Sequence, residues 1–272
     1  MLWELFELIY RISPKLASSL RRIFYEYLAD CNRDADWAFM NYGFADLDPQ
    51  AKRLDLSASD EQDRFCIQLY YHAIGAIDLR GLDVLEVGCG RGGGSSYIMR
   101  YLKPRSIVGV DLSQNAITLC NTHHACPGLC FCQGDAESLP FADGTFDVVV
   151  NVESSHCYGS MERFLFEVHR VLRANGYFVL ADLRDSDCIV PLREKLRSSR
   201  LEVLKEEAIT PNVLGALEQD NERKLVLIQQ EIPRLLRRSF QHFAGIKGKT
   251  MYEALRNGRV EYLSYVLRKN AG

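Results

Sequence analysis

The 272-residue chain has no excess of basic residues and no long apolar run. Its 33 Lys and Arg are outnumbered by 36 Asp and Glu, so the net charge is −3. A nucleic-acid backbone attracts basic surfaces, and this balance therefore argues against a nucleic-acid partner. No apolar stretch approaches the roughly 20 residues of a membrane-spanning helix. We expect a small-molecule ligand and no integral membrane segment.

Cysteine is present without forming a recognisable framework. The nine cysteines are an odd number, scattered through segments with strand or helix patterns. A chain of this length can build a core without disulfides, so we expect reduced thiols and a cytoplasmic protein. Residues 1–10 carry Glu4 and Glu7 and lack the basic start of a secretory signal, which points to the same location.

We predict no metal site, although several possible ligands cluster in sequence. His123 and His124 are followed by Cys126, Cys130 and Cys132. The last two fall in a predicted strand, whose side chains must pack. The sequence after Cys126 is Pro-Gly, which forms a turn and not the C-x-x-C knuckle of zinc sites.

The most informative stretch is a short apolar run that ends in glycines. It reads Asp83-Val-Leu-Glu-Val-Gly-Cys-Gly-Arg-Gly-Gly-Gly94. Residues 84–87 predict a strand buried in a parallel sheet, and residues 95–102 predict a helix. Glycine lets the backbone approach a ligand closely, and the helix N-terminus offers unpaired N–H groups. The stretch therefore predicts a ligand-binding loop.

The glycine spacing alone fits two cofactor classes. Gly88, Gly90 and Gly93 match the G-x-G-x-x-G pattern of dinucleotide sites. Gly88, Gly90 and Gly92 match the E/D-x-G-x-G-x-G pattern of methyl-donor sites. The choice between them depends on the rest of the chain.

Strand and helix patterns alternate from residue 83 to residue 182. The strand patterns are 83–87, 107–111, 129–133, 146–151 and 177–182. Such alternation predicts a doubly wound parallel sheet with ligands outside the carboxyl ends of its strands. Asp111 ends the second strand, where a carboxylate can bind ribose hydroxyls. Asp135 follows the third, where a carboxylate can accept a hydrogen bond from an adenine amino group.

Beyond residue 182 the regular alternation stops. Residues 201–204 resemble a strand, residues 211–238 resemble helices interrupted at Pro233, and residues 260–267 alternate as a last strand. A nicotinamide-dependent oxidoreductase would need a second mononucleotide-binding half or a catalytic domain here, and we find neither. The methyl-donor interpretation is favoured. An NAD-dependent oxidoreductase and a non-catalytic donor-binding protein remain as alternatives.

Four motifs together resemble the class I S-adenosylmethionine-dependent methyltransferases over residues 60–190. They are Val-Leu-Glu86-Val-Gly88-Cys-Gly90-Arg-Gly92, Gly-Val-Asp111-Leu, Gly-Asp135-Ala-Glu-Ser-Leu-Pro-Phe and Val-Leu-Arg-Ala-Asn-Gly176-Tyr. The resemblance implies S-adenosyl-L-methionine as the cofactor. It also implies a Rossmann-like α/β fold, a doubly wound seven-stranded sheet whose last strand is antiparallel.

A closer resemblance covers nearly the whole chain. The segments Ala-Ser59-Asp-Glu, Gly92-Gly-Gly-Ser-Ser-Tyr97, Glu153-Ser-Ser-His156-Cys-Tyr158 and Ala181-Asp-Leu-Arg184 resemble the phthiotriol dimycocerosate O-methyltransferase group and the teleocidin C-methyltransferase. This resemblance implies a bulky apolar acceptor, such as a polyketide, a terpenoid or a prenylated secondary metabolite. It leaves O-methylation of a hydroxyl and C-methylation of a prenyl alkene both open. It also implies a homo-oligomer, because an N-terminal helix is exchanged between subunits of the teleocidin enzyme.

The resemblance assigns site residues position by position. The implied cofactor-binding residues are Glu86, Gly88, Cys89, Gly90, Asp111, Leu112, Asp135 and Ala136. The implied catalytic residues are His156, Asp182 and Glu153. His156 is predicted to be the general base, oriented by Asp182 or Glu153.

We divide the chain into four segments. Residues 1–58 form an N-terminal helical lid or oligomerisation segment, 59–190 the S-adenosylmethionine-binding core, 191–250 a substrate-side insertion, and 251–272 a closing helix and antiparallel strand. The first segment contains two apolar helical patterns, which need a surface to cover. A lid over an apolar substrate, an oligomer contact and simple packing on the sheet all fit them. Docking on a membrane surface fits less well, because the polar face mixes acidic and basic residues.

Overall fold

The computed structural model describes residues 37–75 and 77–271, and its centre is a seven-stranded sheet in the order β3-β2-β1-β4-β5-β7-β6. The strands are β1 Asp83–Val87, β2 Ser106–Asp111, β3 Leu129–Gln133, β4 Phe146–Val152, β5 Leu172–Asp185, β6 Leu201–Ala208 and β7 Val260–Lys269. Neighbouring strands among β1 to β5 pair in parallel, whereas β7 is antiparallel to both β5 and β6. The predicted doubly wound sheet with an antiparallel last strand is confirmed.

Helices cover both faces of this sheet. They are α1 Arg64–Ile74, α2 Gly93–Tyr97, α3 Gln114–His123, α4 Met161–Val171, α5 Ile189–Ser198, α6 Thr210–Gln219, α7 Asn221–Glu231, α8 Arg237–Phe243 and α9 Thr250–Arg256. The helix predicted over residues 95–102 begins two residues earlier and continues from α2 as the π-helical turn Ile98–Leu102. The region predicted as helical over 211–238 contains α6, α7 and the start of α8. Within the described ranges, no helix has both the length and the apolar character that crossing a bilayer requires.

Alternation along the strands supplies two apolar cores. Successive residues of a strand point to opposite faces, so Val84 packs in one core and Leu85 in the other. α1 contributes Ile67 to the first core, and α4 contributes Phe164 to the second. Each of these side chains is completely buried, which stabilises the fold by about 1.5–3 kcal/mol per side chain. The sheet is therefore a rigid platform for the loops at its carboxyl edge.

The sheet crosses the predicted segment boundary at residue 190. β6 lies within the predicted substrate-side insertion, yet it pairs with β7 from Leu201 opposite Lys269 to Ala208 opposite Leu263. Within 191–250, α5 and β6 thus belong to the sheet and its covering helices. Residues 209–250 are the part that lies outside the sheet. The two apolar helical patterns predicted near the N-terminus lie within residues 1–36, outside the described residues.

Residues 37–45 form a strip that ties distant parts of the chain together. Phe44 N–H donates to Phe65 O at 2.9 Å, and Ala45 N–H donates to Asn212 O at 3.0 Å. Gly93 N–H donates to Ala38 O at 3.2 Å. We call these residues the bridging strip. It connects α1, α6 and the start of α2 above the site described below.

Asp83, at the start of β1, holds the amino ends of the strands together. Its carboxylate accepts hydrogen bonds from Arg105 Nε at 2.8 Å, Ser106 Oγ at 2.7 Å and Arg173 Nη2 at 2.9 Å. The hydrogen bond from Arg105 is the main reason that the pKa of Asp83 lies well below its ordinary value. The carboxylate is thus stabilised in its ionised form.

We expect Asp83→Asn to lower the free energy of unfolding by about 1–2 kcal/mol at neutral pH, because charge-assisted hydrogen bonds are lost. The lowered pKa makes this contribution complete above the ordinary Asp pKa of about 4, and it is lost as the pH falls through the folded-state pKa. Urea unfolding at several pH values measures the difference. Asp78→Asn, which removes an exposed carboxylate beside Arg80, should change little. An equal loss in both variants would contradict this account.

Candidate active site

A cleft opens at the carboxyl ends of β1, β4 and β5, with about 560 Å³ of space between its walls, open solvent included. Its walls come from the bridging strip, the glycine loop after β1, the exit of β4, the end of β5 and α8. The lining residues are Ala38, Phe39, Met40, Asn41, Tyr42, Tyr70, Gly88, Cys89, Gly90, Arg91, Gly94, Val152, Glu153, His156, Leu183 and Phe243. Three predicted cofactor-binding residues and two predicted catalytic residues thus line one cleft, namely Gly88, Cys89, Gly90, Glu153 and His156.

The glycine loop turns directly from β1 into α2. Gly88 N–H and Cys89 N–H both donate to Val110 O, at 2.8 and 3.0 Å. Gly88 has φ +75°, and a Cβ there would lie 2.2 Å from Ser154 Oγ. Both the backbone conformation and the available space therefore require glycine at this position.

Glu86 is buried beneath this loop. It accepts hydrogen bonds from the Tyr70 hydroxyl at 2.6 Å and from the Ser95 hydroxyl. Burial raises the pKa of Glu86 to about 7, against the opposing effect of these two donors. Because Ser95 belongs to α2, Glu86 ties β1 to the helix that follows the glycine loop. These contacts allow Glu86 to order the glycine loop.

Asp111 and Leu112 lie at the end of β2, beside the glycine loop. Asp111 Oδ2 accepts from Gly90 N–H and Oδ1 from Ser113 N–H, both at 2.9 Å. Burial raises the pKa of Asp111, and these backbone donors oppose that effect. The Leu112 side chain is 43% exposed. The carboxylate and an exposed apolar side chain thus border the same edge of the sheet.

Asp135 and Ala136 follow β3, the next strand in the sheet. Asp135 is exposed, and its Oδ1 accepts from Glu137 N–H at 2.9 Å. Ala136 packs with Leu139 in the second core. Asp111 is paired with Gln133, two residues before Asp135. These residues therefore lie beside the cleft, at the ends of the neighbouring strands, and do not line its walls.

His156 and Asp182 form a hydrogen-bonded pair at the exits of β4 and β5. His156 Nδ1 donates to Asp182 Oδ1 at 2.7 Å, and His156 N–H donates to Oδ2 at 2.9 Å. Oδ2 also accepts from Ser155 Oγ at 2.6 Å and lies 2.9 Å from Arg184 Nη1. Both oxygens of this buried carboxylate are thus engaged, and the imidazole is held in one orientation.

These neighbours also set the protonation of the pair. Burial lowers the pKa of His156, but Cys157 and Asp182 outweigh it and raise the pKa well above its ordinary value. Burial raises the pKa of Asp182, but His156 and Arg184 outweigh it and keep that pKa well below its ordinary value. Because Asp182 holds Nδ1, Nε2 is the ring nitrogen that can exchange a proton with a molecule in the cleft.

Glu153 forms no hydrogen bond to His156 and instead accepts hydrogen bonds from two tyrosines. Its Oε1 accepts from Tyr42 N–H at 2.6 Å and from the Tyr262 hydroxyl at 3.0 Å. Burial raises the pKa of Glu153 to about 7. Of the two carboxylates predicted to orient His156, Asp182 forms the hydrogen bond to the ring, whereas Glu153 anchors the bridging strip to the site.

No role is assigned from the sequence to Tyr70 and Tyr262, which donate hydrogen bonds to Glu86 and Glu153. Tyr70 lies in α1 and Tyr262 in β7, 109 residues after its partner Glu153. In sequence each reads as one more apolar residue of an amphipathic pattern. The signal that could identify them is a hydroxyl buried opposite a carboxylate, which exists only in the folded chain.

The chain matches known proteins over most of its length. Residues 85–180 match the family model described as a methyltransferase domain. The phthiotriol/phenolphthiotriol dimycocerosates methyltransferase of Mycobacterium tuberculosis is 42% identical over 232 residues, 85% of each chain. The chain belongs to the S-adenosylmethionine-dependent methyltransferases. The fatty-acid O-methyltransferase of Mycolicibacterium smegmatis is 38% identical over 262 residues, 96% of this methyltransferase and 94% of that protein.

Solved structures show the same fold. Geranyl diphosphate C-methyltransferase from Streptomyces coelicolor A3(2), crystallised with Mg2+, geranyl diphosphate and S-adenosyl-L-homocysteine, aligns with a TM-score of 0.62 and 17% identity over 90% of this methyltransferase and 98% of that chain. The [4+2]-cyclase SpnF aligns with a TM-score of 0.60 and 20% identity, over 86% and 88% of the two chains. Together with the family assignment, these findings confirm the predicted enzyme class, the fold and S-adenosylmethionine as the cofactor.

Proposed function

We propose that this methyltransferase methylates an oxygen atom of a bulky apolar small molecule, such as a polyketide, terpenoid or prenylated metabolite, with His156 as the general base. The observation that carries this proposal is the hydrogen-bonded His156–Asp182 pair in the wall of a cleft that also contains the glycine loop. When bound, S-adenosylmethionine supplies an electrophilic methyl group on its sulfonium.

The composition of the cleft favours an apolar acceptor. Phe39, Met40, Val152, Leu183 and Phe243 all line it. Burying apolar area at these side chains favours binding by roughly 25 cal/mol per Å². Two relatives are named for lipid-like substrates, phthiotriol or phenolphthiotriol dimycocerosates and a fatty acid. The same class of acceptor therefore suits this chain.

The proposed chemistry follows from the orientation of the imidazole. Asp182 accepts the Nδ1 proton, so neutral His156 presents Nε2 as the proton acceptor. Nε2 accepts the hydroxyl proton of the acceptor, whose oxygen would take the methyl group as the sulfonium S–C bond breaks and S-adenosylhomocysteine leaves. The resulting imidazolium is stabilised by Asp182, and a general base of this kind contributes about 10²–10⁴-fold to the rate. The cleft walls hold the two reactants in line.

We assign the donor side in the same proposal. Gly88, Cys89 and Gly90 would contact the methionine part, with Glu86 ordering their loop. Asp111 and Leu112 would contact the ribose and its surroundings. Asp135 and Ala136 would contact the adenine. Support comes from the exits of β1, β2 and β3, which lie side by side at the carboxyl edge of the sheet.

The proposal also covers the oligomeric state and the cellular location of the enzyme. We infer a homo-oligomer, a cytoplasmic location and no nucleic-acid partner, as the sequence predicts. The N-terminal lid or oligomerisation segment would be the contact between subunits. Light scattering of the full chain and of a chain lacking residues 1–36 measures the oligomeric state.

Labelled methyl donor tests O-methylation against the C-methylation alternative. The enzyme is incubated with methyl-labelled S-adenosylmethionine and either a long-chain alcohol, a phenolic lipid or a prenylated indole. We expect label in an ether methyl group, which hydriodic acid releases as methyl iodide. Label that resists this cleavage and is located on carbon by mass spectrometry would replace the proposal with C-methylation of an alkene.

A further inference from the structure

A second, partly open cavity adjoins the active-site cleft, with about 570 Å³ of space between its walls, open solvent included. Phe39, Met40, Asn41, Tyr42 and Phe243 line both spaces. The remaining walls of the second cavity are mainly apolar side chains, but they also include the side chains of two basic residues, Arg223 and Lys224. An apolar cavity that contains cationic groups suits a ligand with an apolar chain and an anionic group.

Arg223 is already neutralised by protein carboxylates. Its Nε and Nη2 each donate to Asp220 at 2.7 Å, and its Nη1 lies 3.3 Å from Asp63. Three of its five N–H groups thus donate to carboxylates, which offset the guanidinium charge. Arg223 is therefore a weaker candidate than its neighbour Lys224 for binding an anionic ligand.

Lys224 forms fewer polar contacts with the protein than Arg223 does. Its Nζ donates to Tyr42 O at 3.4 Å and lies 5.7 Å from the centre of the Tyr42 ring. Among residues 37–75 and 77–271, no carboxylate forms an ion pair with it. An ammonium has three donors, so this single long hydrogen bond leaves most of its capacity unused. Burial also lowers the pKa of Lys224.

Tyr42 connects Lys224 to Glu153 in the active-site cleft. Tyr42 donates its N–H to Glu153 in the active-site cleft and accepts from Lys224 through its carbonyl oxygen. The ammonium and the cleft are thus separated by one residue of the bridging strip and a hydrogen bond on either side. Because the two spaces share lining residues, one elongated molecule can extend from one into the other.

We propose that Lys224 binds a carboxylate of the methyl acceptor while the acceptor's apolar chain lies in the second cavity. The inference rests on the proposed function, because it takes the bound molecule to be the acceptor. A carboxylate is already ionised and needs no general base, so the group facing His156 is a hydroxyl. The acceptor class is therefore an apolar hydroxy acid, methylated at the hydroxyl and anchored at the carboxylate.

Trp37 provides a direct reporter, because it lines the second cavity and only one other tryptophan, Trp3, is present. In a Trp3→Phe background, Trp37 fluorescence is followed during titration with dodecanoate or with uncharged 1-dodecanol. We expect Lys224→Met to weaken dodecanoate binding by at least about tenfold, because a charge-assisted hydrogen bond is lost. Lys224→Arg should retain binding, and 1-dodecanol should bind all variants within about twofold.

Two controls separate this site from the donor site and from surface charge. Lys195→Met removes a lysine of α5 that pairs with Glu162, and it should leave dodecanoate affinity unchanged. Calorimetry should show that S-adenosylhomocysteine binds Lys224→Met as it binds the parent chain. Equal dodecanoate affinity in Lys224→Met and its parent would overturn the proposal.

Methyl transfer provides the link to the acceptor. With 12-hydroxydodecanoate, Lys224→Met should raise KM by at least about tenfold and leave kcat nearly unchanged, whereas KM for 1-dodecanol should not change. An equal effect on both acceptors would contradict the role of the carboxylate. Lys224-dependent binding without transfer to any hydroxylated acceptor would overturn the proposed function and still support the anion site.

Discussion

His156→Ala is expected to lower kcat by about 10²–10⁴-fold, the usual contribution of a positioned general base. Affinity for S-adenosylhomocysteine should stay within about twofold, because His156 is not among the proposed donor contacts. Single-turnover transfer of labelled methyl and calorimetry measure the two quantities. His123→Ala, which removes an exposed histidine at the end of α3, serves as the matched control.

The pH dependence distinguishes a base from a residue that only packs. His156 must be neutral to accept a proton, and its pKa is raised, so kcat should increase with pH until this raised pKa is passed. Asp182→Asn removes one of the charges that raise it. The inflection should therefore move to lower pH while the maximal kcat falls. A His156→Ala enzyme with near-normal kcat and an unchanged profile would show that another group removes the proton.

Gly88→Ala is expected to abolish measurable binding of S-adenosylhomocysteine. The new Cβ would meet Ser154 Oγ and Cβ at 2.2 and 2.5 Å, and it would require a left-handed backbone at φ +75°. The loop must shift to relieve this overlap, and the shift occurs at the proposed contact with the donor. Calorimetric titration measures the loss of affinity.

Gly144→Ala separates backbone strain from the overlap. Gly144 also has positive φ, +59°, but a Cβ there would meet nothing within 4 Å. It should lower stability by roughly 1 kcal/mol and leave donor affinity unchanged. Should Gly88→Ala prove too unstable to purify, Gly90→Ala is the alternative, since its Cβ meets only the flexible end of Met40 at 3.1 Å. Full donor affinity in both loop variants would contradict the assignment of this loop.

The sequence is sufficient for those features that depend on local patterns. β1, the glycine loop and β3 are predicted with almost their observed bounds, because apolar runs bounded by glycine or turn residues are local signals. Asp182 and His156 could be identified as neighbours because parallel strands bring their carboxyl ends to one edge. The general layout of the site is therefore readable without coordinates.

Other features arise only from packing between distant segments. β5 begins at Leu172, five residues before the predicted strand, because Leu172 already pairs with Phe146 of β4, ahead of an irregularity in the register. β6 carries a largely exposed, charged pattern and is recognisable as part of the sheet only through its pairing with β7. The roles of Tyr70 and Lys224 depend likewise on partners far away in sequence. Periodicity indicates burial, but it does not identify the partner.

The bridging strip also has a consequence for the order in which the molecule assembles. Its hydrogen-bond partners include Asn212 and Glu153, the latter 111 residues from Tyr42, so the strip can dock only after the sheet and α6 have come together. Closing such long loops is slow, and contacts of this kind form late in folding. The cleft would then be the last part to form and the first to open. Hydrogen exchange should show residues 38–45 opening independently of β1 and β4, so that a bulky acceptor could enter while the sheet remains folded.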